Sequence, residues 1–354
     1  MKTNISYLVF LTALTACVDS GGGEDETGDD GGDDIPQGSM ELVAAVQGSP
    51  VGMESDDSFV YLMEGVSYMG DTARLLAIAK SDLEATELSL VEGYALNSDA
   101  DRLYWFGSEN GLYDTVESIP KAGGTVSTVT TGLTWGYTCM DMASDGDSLF
   151  IVGSSLAEGT IATVSTTGGV ATAVGTVSDD LCYVTVDDDQ VYAAAGMNHT
   201  AVYRAPKAGG DLEELASDDQ IHLALTSGSN GEMELADGTL YWTSDYHNQH
   251  GGGAVTGLSV SGGSIQELAL EQDSPYDLVV DNGDVFWVNS ADGFSEDGQI
   301  MRLEAGASEP EVLVEGLAQP YYIQVDDTHI YFTAQDPETR WDDEEAGFLY
   351  RIAR

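Results

Sequence analysis

A short apolar strand with an aromatic residue at its centre returns seven times along this chain, and so regular a period leaves few folds open. The copies are Val60-Tyr61-Leu62, Leu103-Tyr104-Trp105, Leu149-Phe150-Ile151, Val191-Tyr192-Ala193, Leu240-Tyr241-Trp242, Val285-Phe286-Trp287 and Ile330-Tyr331-Phe332. Their central aromatics stand 43, 46, 42, 49, 45 and 45 residues apart. Each copy follows an acidic turn and an earlier alternating strand, as in Tyr276-Asp277-Leu278-Val279-Val280-Asp281. After it come a variable loop, a third strand such as Val202-Tyr203-Arg204-Ala205-Pro206-Lys207, and a fourth such as Ile265 to Leu270. Gly123-Gly124, Gly168-Gly169, Gly209-Gly210 and Gly262-Gly263 separate third from fourth strands. A two-residue hairpin is expected there, because glycine takes the required positive φ cheaply. Four short antiparallel strands at a period of roughly 45 residues form one blade of a β-propeller. The helical periodicity that a TIM barrel would need is absent.

The pattern also predicts how the ring closes. The last copy stops after its third strand, Phe348-Leu349-Tyr350-Arg351-Ile352, and the segment Met40 to Pro50 supplies the missing fourth. Leu42-Val43-Ala44 followed by Pro50 matches Val312-Leu313-Val314 followed by Pro320. The expectation is an all-β fold over residues 40–354, a seven-bladed propeller of four-stranded antiparallel blades. The N-terminal strand would complete the last blade and protect two sheet edges.

Tyr241-Trp242-Thr243-Ser244, Phe286-Trp287-Val288-Asn289 and Pro275-Tyr276-Asp277-Leu278-Val279-Val280-Asp281 resemble the YWTD-type propeller repeats and similar repeats of uncharacterised bacterial surface lipoproteins. The resemblance covers residues 40–354 and implies a propeller without fixing a function.

The first 17 residues begin with Met1-Lys2, carry a mostly apolar stretch from Ile5 to Leu14, and end in Leu14-Thr15-Ala16-Cys17. A basic start, a short apolar run and small residues at the cut make a secretory signal, and about ten apolar residues are too few to span a bilayer. The ending resembles the lipobox of bacterial lipoproteins. By that resemblance Cys17 becomes the lipid-modified (palmitate-bearing) N-terminus, and the protein sits in the bacterial cell envelope. The outer membrane is the expected site, on its periplasmic or cell-surface face, with the lipid as sole membrane attachment. The alternative is a plain signal peptide with an incidental cysteine. Residues 18–39 hold Gly21-Gly22-Gly23, Glu24-Asp25-Glu26 and Asp33-Asp34 with almost nothing apolar, a composition that cannot offset its ordering entropy. They are read as a disordered acidic tether reaching roughly 25 to 80 Å.

Two further cysteines, Cys139 and Cys182, lie in first strands of consecutive blades. Aligned on Phe150 and Tyr192 they are offset by one residue, which points them to opposite faces of their strands, as two facing sheets require. A disulfide between them is expected in a compartment that permits one; two buried thiols are the alternative.

Lys and Arg number 11 against 62 Asp and Glu, a formal net charge of −51. A phosphate-binding surface needs clustered basic residues, so nucleic acid is excluded as a partner. Asp recurs in the turn between first and second strands, from Asp56 to Asp326. This could be a ring of calcium ligands, but seven copies of a turn in which Asp accepts backbone hydrogen bonds would produce the same ring, and the turn is the preferred reading. No other cofactor is expected. His247 and His250, beside Tyr246, could ligate a metal or belong to a solvated loop. Aromatic residues gather in the loops after second and fourth strands: Trp135, Tyr137, Tyr246, Tyr276, Tyr322 and Trp341. With His247 and His250 they form the expected ligand-binding rim, about half of the rings filling gaps between blades instead. No catalytic motif is recognisable. A monomeric binding scaffold for a protein, peptide or glycan is therefore preferred over a lactonase- or lyase-like enzyme using loop carboxylates and histidine.

Overall fold

The computed structural model describes residues 40–65, 73–107, 113–133, 140–155, 158–195, 200–218, 222–223, 233–245, 252–291, 296–335 and 347–354. They build seven antiparallel sheets and no helix. Blade 1 runs Ser49–Ser55, Phe59–Gly65, Ala73–Ala79, Ala85–Val91; blade 2, Gly93–Ser98, Arg102–Gly107, Thr115–Pro120, Ser127–Thr131. Blade 3 runs Met140–Ser144, Ser148–Ser155, Glu158–Ser165, Thr172–Val177; blade 4, Leu181–Val186, Gln190–Ala195, Thr200–Pro206, Glu213–Asp218. In blade 5 the first strand is split into His222–Leu223 and Glu234–Ala236, both paired with Thr239–Asp245, before Gly253–Ser259 and Gln266–Gln272. Blade 6 runs Pro275–Asp281, Asp284–Asn289, Gly298–Leu303, Glu311–Leu317. Blade 7 takes Ile323–Val325, His329–Gln335 and Gly347–Ala353, and its fourth strand is the N-terminal Glu41–Val46.

Each first strand packs beside the first strands of both neighbouring blades, and the chain of contacts closes from blade 7 back to blade 1. First strands therefore form the inner ring and fourth strands the outside. The core lies between blade faces. In blade 2, Leu103 and Trp105 pack with Tyr61 and Leu75 of blade 1, while Tyr104 and Phe106 pack with Met142 and Ile151 of blade 3. Alternate side chains thus serve opposite faces and both faces are buried, which is why second strands read as unbroken apolar runs. The cluster holding Val60 and Leu62 of blade 1 also holds Phe332 and Leu349 of blade 7. It contains Val43 and Val46 of the N-terminal strand as well, so packing and pairing close the ring at the same place. Gln47, in the link to blade 1, donates its amide to Glu64 Oε2 at 2.9 Å, and Glu64 is itself buried against Arg74.

One expectation needs correction. The Gly-Gly pairs do not form two-residue hairpins: Gly123 closes a four-residue turn onto Pro120 O at 2.8 Å, and Gly209 onto Pro206 O at 2.8 Å. The second glycine turns outward, so that Gly169 N donates to Val129 O of the preceding blade's fourth strand at 2.9 Å. The two-residue turns lie between first and second strands of blades 5 and 6, at Asp237-Gly238 and Asn282-Gly283, all four residues having positive φ.

Candidate functional site

In five blades the turn aspartate accepts two backbone amides through one oxygen. Asp56 Oδ1 takes Ser58 N and Phe59 N, both at 2.9 Å, and Asp99, Asp145, Asp187 and Asp326 repeat the pattern. The other oxygen faces the second strand. Tyr61, Tyr104 and Tyr192 donate their hydroxyls to Oδ2 of Asp56, Asp99 and Asp187 at 2.8, 2.6 and 2.7 Å. A cation from the next blade often completes the unit. Lys121 of blade 2 reaches Asp56 and lies over the Tyr61 ring; Lys207 of blade 4 does the same with Asp145 and Phe150, and Lys80 of blade 1 with Asp326 and Tyr331. Arg354 joins Asp281 and the Phe286 ring in the same way. Burial alone would raise the Asp56 and Asp145 carboxyls, but these amides and lysines outweigh it and hold both below the ordinary range. The recurrent Asp is a turn former and a blade-to-blade latch. Among the described residues, no group of three or more His, Cys, Asp or Glu could hold a metal ion.

A second set of carboxylates, not singled out by the sequence pattern, belongs to the inner ring of first strands. Glu54, Asp141, Glu234 and Asp277 sit on first strands of blades 1, 3, 5 and 6. Each reaches the first strand of the following blade. Glu54 Oε2 accepts Ser98 Oγ–H at 2.9 Å, Asp141 Oδ2 accepts Val184 N–H at 2.8 Å, Glu234 Oε2 accepts Val280 N–H at 2.6 Å and Asp277 Oδ2 accepts Ile323 N–H at 2.9 Å. Glu54 raises the other three through its charge, although they belong to blades 3, 5 and 6. Groups on non-adjacent blades can do this only around a common axis. Burial is the main cause of their shifts: it pushes Glu54, Asp141 and Glu234 up to about 7 and Asp277 well above the carboxylate range. Carboxyls of this kind can take and give protons near neutral pH, and such perturbed groups gather at functional positions.

Of the expected rim, Trp135, Tyr137, Tyr246, His247, His250 and Trp341 lie outside the described residues, as do Cys17 and Cys139. Two rim residues are described, and both are interior. Tyr276 is 6% and Tyr322 4% exposed, and their rings meet edge-on at 6.0 Å where blades 6 and 7 adjoin. They fill the gap between blades, where a ring leading into a first strand is covered by its neighbour. Cys182 is buried, 3% exposed, on the first strand of blade 4. None of the described residues form a helix long and apolar enough to cross a membrane.

No protein-family model matches the chain, and no curated protein matches it in sequence. Solved structures do. One of a study of two prolyl endopeptidases is 13% identical, with a TM-score of 0.54 over 83% of this chain and 48% of that one. A nidogen/laminin complex is 14% identical, with a TM-score of 0.49 over 73% of this chain and 99% of that one. A putative TolB from Agrobacterium tumefaciens is 12% identical, with a TM-score of 0.48 over 81% of this chain and 99% of that one. Similarity at this level is a similarity of fold.

Proposed function

We propose that the chain is a lipid-anchored propeller of the bacterial cell envelope that binds a protein, peptide or glycan at one end of its ring. The supporting observation is the inequality of the two ends. At one end the connections are uniform, two or three residues between first and second strands and five to seven between third and fourth, and Gly169, Gly210 and Gly263 bond back to the preceding blade's fourth strand. At the other, connections from second to third strand range from two residues, between Ser155 and Glu158, to eleven, between Gln335 and Gly347. Irregular length on a rigid scaffold is where recognition concentrates. The N-terminal strand enters at the short-turn end, since Glu41 pairs with Arg351 and Arg351 bonds to Lys80 O in the neighbouring turn. A tether from Cys17 would thus hold that end toward the membrane and present the loops outward.

Pull-down on envelope extracts with the mature chain, and with Trp135→Ala, Tyr246→Ala and Trp341→Ala, tests the reading. Loss of the captured ligand with thermal unfolding nearly unchanged is expected. If each variant instead loses more than roughly 3 kcal/mol of stability, the size for a buried aromatic, the rings are core and the loop end is not the site.

A further inference from the structure

We propose that the inner ring is a proton-dependent lock: Glu54, Asp141, Glu234 and Asp277 tie first strands of successive blades together through bonds that either protonation state can accept, and load the buried axis with mutually repelling charge when they lose their protons. The proposal stands on the bonding pattern. Blades 1 to 2, 3 to 4, 5 to 6 and 6 to 7 are each bridged by one of these carboxyls. Blades 7 and 1 are bridged by a neutral group instead. Gln324 accepts Ser55 Oγ–H at 3.1 Å and donates Nε2–H to Met53 O at 3.4 Å. Gln324 pairs with Tyr331 as Glu54 pairs with Tyr61 and Glu234 with Tyr241, so all three occupy one repeat position. An uncharged side chain therefore makes this bridge, and the bridge does not require a carboxylate.

The charged groups facing these carboxyls are few. Lys121 lowers Glu54, and Asp281 raises Glu234. Glu234 and Glu54 both raise Asp277. The phenols of Tyr94 and Tyr183 feel Asp141, and Tyr183 also feels Asp277. Among the described residues one lysine faces four carboxyls, which leaves the ionised ring short of positive charge in surroundings that screen poorly. A carboxyl whose pKa is higher folded than unfolded stabilises the fold below its unfolded value and ceases to as pH rises through its folded value. Here that window runs from the ordinary carboxylate range up to about 7 for Glu54, Asp141 and Glu234. Exposed carboxyls have finished titrating before its upper half, so that half belongs to the axis and to histidine.

Denaturant unfolding of the mature chain at about pH 5.5 and about pH 8 tests the lock, beside Glu54→Gln, Asp141→Asn and Glu234→Gln. The wild type is expected to be the more resistant at the lower pH. Between these two pH values its unfolding constant should rise about tenfold for each unit by which a group's folded pKa stands above about 5.5. Each variant should lose part of that difference, whereas substitution of histidines should leave it. Carboxyl-carbon NMR of the wild type gives a readout that survives a misfolded variant: resonances should titrate near neutrality. Equal resistance at both pH values, variants that keep the full difference, or carboxyls that all titrate below about pH 5 would each overturn the proposal.

Discussion

At Asp145 the local and the long-range roles of one side chain can be separated. One oxygen closes its own turn on Asp147 N and Ser148 N, and the other holds Lys207, 62 residues away, at 2.9 Å. The lysine is in turn laid over the Phe150 ring at 5.6 Å, so it touches a charge and an aromatic face of the neighbouring blade at once. Lys207→Ala should cost about 1 kcal/mol, the sum of a partly covered ion pair and a cation–π contact. Asp145→Ala should cost more, because two turn amides lose their acceptor; urea unfolding of both variants and the double variant would apportion the latch. If Lys207→Ala is neutral, the lysine is a bystander. These aspartates also set an acid limit. Asp56, Asp145, Asp187 and Asp326 are held below the ordinary range, so the stability they give is present above their unfolded pKa and is lost as pH falls from there through their folded pKa. Thermal midpoints should therefore drop below about pH 4, and Lys80→Ala, which removes a partner of Asp326, should move that drop upward.

The fourth strands carry the burden of an exposed sheet edge, and every one of them is bulged where it pairs with the third strand. Shifts fall between Leu75 and Leu76, Val116 and Glu117, Ile161 and Ala162, Val202 and Tyr203, and likewise in blades 5, 6 and 7. A bulge twists the edge, and the acids interleaved along it, such as Glu267 and Glu271 around exposed Leu270, repel a second copy. Glu271→Gln with Glu267→Gln, removing that repulsion, should promote association visible by light scattering at low salt; unchanged monodispersity would place the protection in the bulge alone. At this scale the second strands were legible in the sequence, because burial of both faces makes an unbroken run such as Leu103-Tyr104-Trp105-Phe106. The first strands were legible as strands, but not which of their side chains face the axis. Their pairing slips between Pro50 and Gly52, Tyr94 and Asn97, Leu181 and Tyr183, and Pro275 and Leu278. After such a slip, alternation no longer tells which side chain faces the axis. Glu54 and Asp277, at or beyond such slips, therefore looked like ordinary strand acids. The Gly-Gly pairs misled for another reason, since a positive φ at Gly123 and Gly209 fits a longer turn as well as a two-residue one.

For the whole molecule, the decisive join is between the two ends of the chain. Glu41–Val46 pairs with Gly347–Ala353, Glu41 forms an ion pair with Arg351 at 2.7 Å, and Val46 is fully buried among residues of blades 1, 6 and 7. Without this strand, Gly347–Ala353 becomes an open edge and Glu64 loses the amide of Gln47, leaving Arg74 as its partner. Two buried valines alone account for about 3 kcal/mol or more, before the edge and the carboxylate are counted. A chain beginning at residue 48 should therefore unfold at clearly lower temperature than one beginning at residue 40, and should self-associate through the bared strand. A chain beginning at residue 40 should match the full-length protein, because every described contact is kept. Thermal unfolding and size-exclusion chromatography of the three lengths check this together. Equal stability at starts 40 and 48 would mean that six interlocked blades and a three-stranded seventh close the ring by face packing alone.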